Sequence, residues 1–200
     1  MRLLIVSASQ RSPSQTQRVA SYLAENAQQH GFEHIDLLEL CQQDLPFWDG
    51  EDDHRGAQWP RIDSLVQAAD ALVLLTPEWG GMASPLLKNF LLMCDKQQTA
   101  HKPALLVAVV GGISGAYPIS ELRMNALKNN KLVAIPDHLI IRNVKQMLQA
   151  EIDNRHDQQL RERIHYSLHM LAQYSQALAP IRSAHIGTPY PKQQEYLYGM

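Results

Sequence analysis

The hydrophobic residues of this 200-residue chain change period again and again, from short continuous runs to helical spacing and back. Leu3 to Val6 is an unbroken apolar run, as a strand covered on both faces requires. Val19, Tyr22, Leu23 and Ala27 then follow helical spacing. Ile35, Leu37 and Leu38 or Leu40 suggest a second strand, and Ile62, Leu65, Val66 and Ala69 one face of a second helix. The alternation continues with strands at Ala71–Leu75, Ala104–Val110 and Leu132–Ile135, the last ending at Pro136. Between and after them lie helices carrying Leu87, Phe90 and Leu91, then Ile119, Leu122 and Leu127, then Leu160, Ile164, Leu168 and Leu171. Ser84-Pro85 opens the first of these three as an N-cap followed by proline.

Strand followed by helix, five times over, implies parallel strands, because parallel neighbours need a crossover between them. The expected architecture is α/β: a doubly wound, five-stranded parallel sheet in three layers. Five strands in about 180 residues favour the flavodoxin-like order 2-1-3-4-5 over a six-stranded sheet. Residues 1–180 are expected to form this domain and residues 181–200 a tail carrying Tyr190, Tyr196 and Tyr198. In such a sheet ligands bind outside the carboxyl ends of the strands at the point where the order reverses. The loops after strands 1, 3 and 4 are therefore where function should sit.

These three loops are unusual in composition. The first, Ser7 to Thr16, holds four serines, a threonine and Arg11, with no large apolar side chain. A helix N-terminus already offers unpaired N–H groups and partial positive charge. Hydroxyls and a guanidinium beside it suit a terminal monophosphate, although Ser and Thr are also ordinary helix caps. No GxxxxGK[ST] or GxGxxG occurs, so a P-loop or dinucleotide fingerprint is absent. The second loop, Thr76 to Met82, has Pro77 to fix a turn and Gly80-Gly81 to permit positive φ. A flat ring can lie against it, with Trp79 as an aromatic wall. The third contains Gly111, Gly112 and Gly115, a backbone that something else must approach closely.

Other chemistries lack their residues. Cys41 and Cys94, two cysteines in apolar surroundings, make neither a disulfide scaffold nor a Cys-based zinc site. His165 and His169 stand at i, i+4 without the Glu of HExxH, so a solvated helix face is expected and no metal. No GxSxG elbow occurs. Lys plus Arg is 18 against 20 Asp plus Glu, a net charge of −2, which makes a poor binder of nucleic acid. The apolar start is far shorter than the roughly 20 residues of a membrane span, so a cytoplasmic location is expected. Asp49 to Arg55 reads as an exposed charged loop.

The three loops together resemble the NADPH-dependent FMN reductase family, small flavodoxin-like flavoproteins that include azoreductases and quinone reductases. Ser9-Gln10-Arg11 with Ser14 and Thr16 is similar to its phosphate loop, G-S-x-R-x-x-S-x-N. Thr76-Pro77-Glu78-Trp79-Gly80-Gly81 is similar to its T-P-E-Y-N-G flavin loop, and Leu87-Lys88-Asn89 to the L-K-N that follows. The likeness runs from about Met1 to Val144. Ala8 replaces a family Gly, Thr16 a frequent Asn, and Gly80 an Asn whose amide is then missing from the flavin edge.

The resemblance implies FMN as cofactor and NADPH or NADH as hydride donor. The acceptor would be a small molecule, such as a quinone, an azo compound or free flavin. Ser9, Arg11, Ser14, Gln15 and Thr16 would hold the phosphate. Pro77, Glu78, Trp79, Gly80, Gly81, Gly111, Gly112 and Gly115 would surround the ring and ribityl chain. The cofactor supplies the chemistry, so no essential acid or base side chain is expected. A homodimer or homotetramer would complete the pocket. The competing reading is a flavin-binding electron carrier or regulatory module without turnover. Carriers of that type are strongly acidic, and −2 argues against one.

Overall fold

The computed structural model describes residues 1–151 and 154–196; Tyr198 of the expected tail lies outside them. The strands are β1 (Arg2–Ser7), β2 (His34–Glu39), β3 (Ala71–Pro77), β4 (Pro103–Val109) and β5 (Val133–Ile141). They form one sheet in the order β2-β1-β3-β4-β5, and every pairing is parallel. The helices are α1 (Gln15–Ala27), α2 (Trp59–Ala68), α3 (Pro85–Met93), the single turn α4 (Lys96–Thr99), α5 (Ala116–Glu121) and α6 (Arg155–Gly187).

Alternate strand residues feed opposite cores. Leu4, Val6, Leu72, Leu74 and Leu106 pack with Ile62 of α2, Leu87 and Phe90 of α3, and Ile119 of α5. Leu3, Ile5, Val73, Leu75 and Val107 pack with Val19 and Leu23 of α1 and Ile164 and Leu168 of α6. A strand clamped between two apolar layers has no wet face, which is why its sequence shows a run rather than an alternation. Each fully buried Leu or Ile contributes about 1.5–3 kcal/mol by leaving water.

Two boundaries differ from the sequence reading. β5 does not stop at Pro136 but continues to Ile141. The register against β4 jumps between Ala104, opposite Ala134, and Leu106, opposite His138, so Pro136 sits in a bulge on an edge strand. There its missing N–H removes no ladder bond. The last helix passes Pro180 and ends at Gly187, beyond the expected start of the tail at Ile181. The helix after β4 also changes form, widening into a π-helical turn over Leu122–Ala126. No described helix is long and apolar enough to cross a membrane.

Candidate active site

β1 leaves the sheet at Ser7 and enters α1 through a loop capped by Ser14, whose Oγ accepts a hydrogen bond from Gln17 N at 3.0 Å. The hydroxyl proton of that cap is still free to donate outward. Ser9 Oγ accepts from Arg11 N at 3.1 Å and bends the loop back over the helix end. Ser9 and Thr16 are both buried. Cys41 is half-buried rather than buried, and its Sγ–H lies 3.6 Å from Arg11 O, close enough for a weak bond. Burial and then Glu39 push the Cys41 thiol up, which keeps it from being a thiolate nucleophile at neutral pH.

The second loop is shaped by its own backbone. Thr76 Oγ1 accepts from Ser84 N at 2.8 Å and fixes the start of α3 against the end of β3. Trp79 N and Met82 O, and Met82 N and Trp79 O, bond at 3.4 and 3.1 Å across a two-residue turn. Gly80 and Gly81 lie at φ +59° and +76°. Positive φ at both central positions is the type I′ turn, which takes Asn-Gly or Gly-Gly. Gly80 thus keeps the backbone that the family's Asn would give and lacks only the side-chain amide.

The Leu87-Lys88-Asn89 stretch has a structural role here. Leu87 is core. Lys88 Nζ pairs with Glu121 at 2.8 Å, and the other Glu121 oxygen accepts from Ala83 N at 2.7 Å. Asn89 bonds Trp48 N and Pro46 O at 2.9 and 2.8 Å, pinning the segment before the charged loop.

A cavity of about 720 Å³ lies over the carboxyl ends of β1, β3 and β4. It brings together Ser9, Arg11, Ser14, Gln15, Thr16, Pro77, Glu78, Trp79 and Gly111 from the three loops. The Arg11 guanidinium stands over the Trp79 ring, 4.7 Å from its centroid, so the first two loops touch by a cation–π contact. Glu78 joins the second loop to the third, accepting from Ser114 Oγ at 2.8 Å.

Four expected site residues do not line this cavity: Gly80, Gly81, Gly112 and Gly115. Gly115 answers to its own chain. Its φ is +108°, and an added Cβ would lie 2.3 Å from Ile140 Cγ2 and 2.9 Å from Val110 Cγ2. Gly111 and Gly112 have nothing of the chain within 4 Å of a Cβ, so room remains there for a ligand. Arg18, Val144 and Lys145 line the cavity but were not singled out from the sequence. Arg18 had a local signal, one helical turn after Ser14; Val144 and Lys145 had none, being some 130 residues away.

Of the expected histidine face, His169 is exposed but His165 is half-buried, its Nδ1 3.1 Å from His30 Nε2. Among the described residues no cluster of three or more side chains is arranged to hold a metal ion.

These features fit a flavin mononucleotide. A hydroxyl- and guanidinium-lined helix end suits its phosphate, and a half-exposed indole beside open glycine backbone suits its ring. The model of the NADPH-dependent FMN reductase family matches residues 1–146. The chain belongs to that family. It is an oxidoreductase that uses FMN and NAD(P)H. An NADPH azoreductase of Bacillus sp. (strain OY1-2) is 32% identical over 142 residues, 70% of this chain and 76% of the relative. An FMN-dependent NADPH-azoreductase of Staphylococcus aureus (strain USA300) is 32% identical over 134 residues, 62% of this chain and 68% of the relative. Among solved structures, the apo form of an NADH:FMN oxidoreductase superposes with TM-score 0.73 at 19% identity, covering 95% of this chain and 97% of that one. A flavoenzyme NAD(P)H:acceptor oxidoreductase of Paracoccus denitrificans gives TM-score 0.69 at 14% identity, covering 88% and 97%. A flavodoxin from the domain Archaea gives TM-score 0.56 at 13% identity, covering 88% of this chain and 99% of that one, and with the strand order these likenesses show the flavodoxin-like fold.

Proposed function

We propose that this family member binds FMN in the 720 Å³ cavity and passes hydride equivalents from NADPH to an azo compound, a quinone or free flavin. The observation that carries the reading is the convergence of three distant loops on one cavity with a phosphate-type donor set at one end. Ser9, Ser14 and Thr16 hydroxyls, Gln15, the first amides of α1 and Arg11 would hold the phosphate. Pro77, Glu78, Trp79 and Gly111 would border the ring and ribityl chain. Gly112 would leave space beside them, while Gly80, Gly81 and Gly115 set the loop shapes that make the border. When bound, FMN supplies the two-electron relay between nicotinamide and acceptor.

The protein's own part is to bind, orient and shield. Arg11 is already desolvated on one face by Trp79, so it meets an anion with little reorganisation. Glu78 is held by Ser114, and Ser114 O in turn accepts from Arg142 Nε at 2.8 Å, which keeps two walls in fixed register. The acceptor preference rests on the azoreductase relatives.

A homodimer or homotetramer in the cytoplasm is part of the same proposal. Met82, Ile113 and Tyr117 project apolar surface into water near the site, and a second copy would cover them. The deciding experiment adds NADPH anaerobically to FMN-loaded protein and follows the flavin absorbance, then adds an azo dye. Bleaching followed by recovery is expected. Bleaching only with dithionite would favour an electron carrier, and protein that stays colourless with FMN would overturn the reading.

A further inference from the structure

Arg18 is the guanidinium in the cavity wall that no motif marks. It sits on α1, one turn after the Ser14 cap, and burial lowers its pKa against the opposing pull of Asp157. Three of its N–H groups are engaged. Nε donates to Gln15 Oε1 at 2.9 Å, Nη1 to Leu148 O at 2.8 Å and Nη2 to Val144 O at 2.5 Å. None of these partners is charged. Among the described residues Arg18 makes no ion pair, because the Asp157 carboxylate is taken by Arg161 Nε at 2.9 Å and Leu148 N at 2.7 Å. Arginine carries five N–H groups, so one remains on each terminal nitrogen.

A clamp between two carbonyls explains the three bonds. It does not explain why a half-buried cation, in a cavity shared with Ser9, Arg11, Ser14 and Thr16, makes no ion pair among the described residues and feels the Asp157 carboxylate only from beyond contact. Desolvating a cation is costly unless an anion compensates it. We propose that Arg18 is a second phosphate-sensing cation, and that it makes the cavity select a phosphorylated flavin over its unphosphorylated form. Through its bond to Val144 O it also touches the segment that brings Val144 and Lys145 to the cavity lining. This rests on the flavin reading above, but its anion half is separable from it.

The test compares dissociation constants for FMN and riboflavin, by flavin fluorescence, in the wild type, Arg18→Met and Arg18→Lys. The expected result is a loss of about 10- to 100-fold in FMN affinity for Arg18→Met, with riboflavin affinity changed less than about twofold. Arg18→Lys keeps the charge but cannot bridge both carbonyls, and should retain most of the discrimination. In parallel, inorganic phosphate should raise the Tm of the wild type and not that of Arg18→Met. Equal losses for both flavins would mean a purely structural clamp and overturn the proposal. So would a folded Arg18→Lys variant that no longer discriminates, or a phosphate shift that survives Arg18→Met. A wild type that binds no flavin yet shows a phosphate shift dependent on Arg18 would sink the flavin reading and leave the anion site standing.

Discussion

The two ends of the sheet treat polar groups in opposite ways. At the amino ends of the strands, polar side chains close on the chain itself. Buried Lys102, pushed down to about 8 by burial and then by Arg182, donates to Val66 O and Gln67 O at 2.6 and 2.9 Å, capping α2. Thr99 donates to Asn130 O and Asn130 to Leu91 O. Asp70 accepts from Arg2 N at 2.8 Å. At the carboxyl ends, hydroxyls, two guanidiniums and bare glycine backbone border an open cavity instead. A cavity of about 470 Å³ lined by Asp70, Lys102, Arg182 and His185 lies at the first pole too, but there the polar groups are bonded to the chain's own backbone, whereas the 720 Å³ cavity of the second pole is bordered by hydroxyls with donors to spare. Substitutions at the first should therefore cost stability, and at the second ligand affinity.

The largest effect should be the exception that breaks this division. Gly115→Ala, at the carboxyl-end pole, combines a positive φ with a Cβ driven into Ile140. A loss of about 2–5 kcal/mol in stability is expected by denaturant unfolding; a wild-type midpoint would show that the loop is free to move aside. Next comes Arg11→Ala, expected to weaken FMN binding by about 1.5–3 kcal/mol with an unchanged Tm. Affinity equal to wild type in a fluorescence titration would place the phosphate elsewhere.

Acidity should strike the closed pole. Burial, then His165 and His169, lowers the pKa of His30; burial, then His185 and Lys131, lowers that of His101; burial, then Lys131, lowers that of His185. In the unfolded chain these groups titrate near their ordinary value of about 6.5. Below that pH the unfolded state takes up more protons, so stability is full above it and falls as the pH drops through the folded-state values. His54, raised by its hydrogen bond to Asp49, runs the other way, but that pair is exposed and screened. The Tm should fall between about pH 7 and 5.5, and a flat or rising profile would contradict the assignment. The smallest effect belongs to Gly80→Asn, which the type I′ turn accepts. Stability within about 0.5 kcal/mol of wild type is expected in thermal melts. A larger loss would mean the turn needs more than positive φ.

Period changes alone were enough to read the layers, because each strand has apolar neighbours above and below. The strand order was legible through length and the family likeness. Pro136 misled because its effect depends on lying at an edge, which is a tertiary fact. That Ser9, Arg11 and Ser14 would come together on one cavity was legible because a helix N-terminus gathers its donors within one short segment. Gly115 looked the same in sequence as Gly111, yet only the fold reveals that Ile140 fills the space above it. Arg18 was hidden by its setting, since an arginine on a helix is ordinarily a solvated charge.

The family likeness ends at residue 146, but the wall of the cavity does not hold itself up. Leu148 N is bonded to the buried Asp157, and Gln149 O accepts from Arg161 Nη2 at 2.5 Å, both from α6. Val144 and Lys145 are therefore braced from outside the shared region. The recognisable stretch and the self-supporting unit have different lengths. Shortening the protein to the first would keep every motif and remove the buttress behind one side of the cavity.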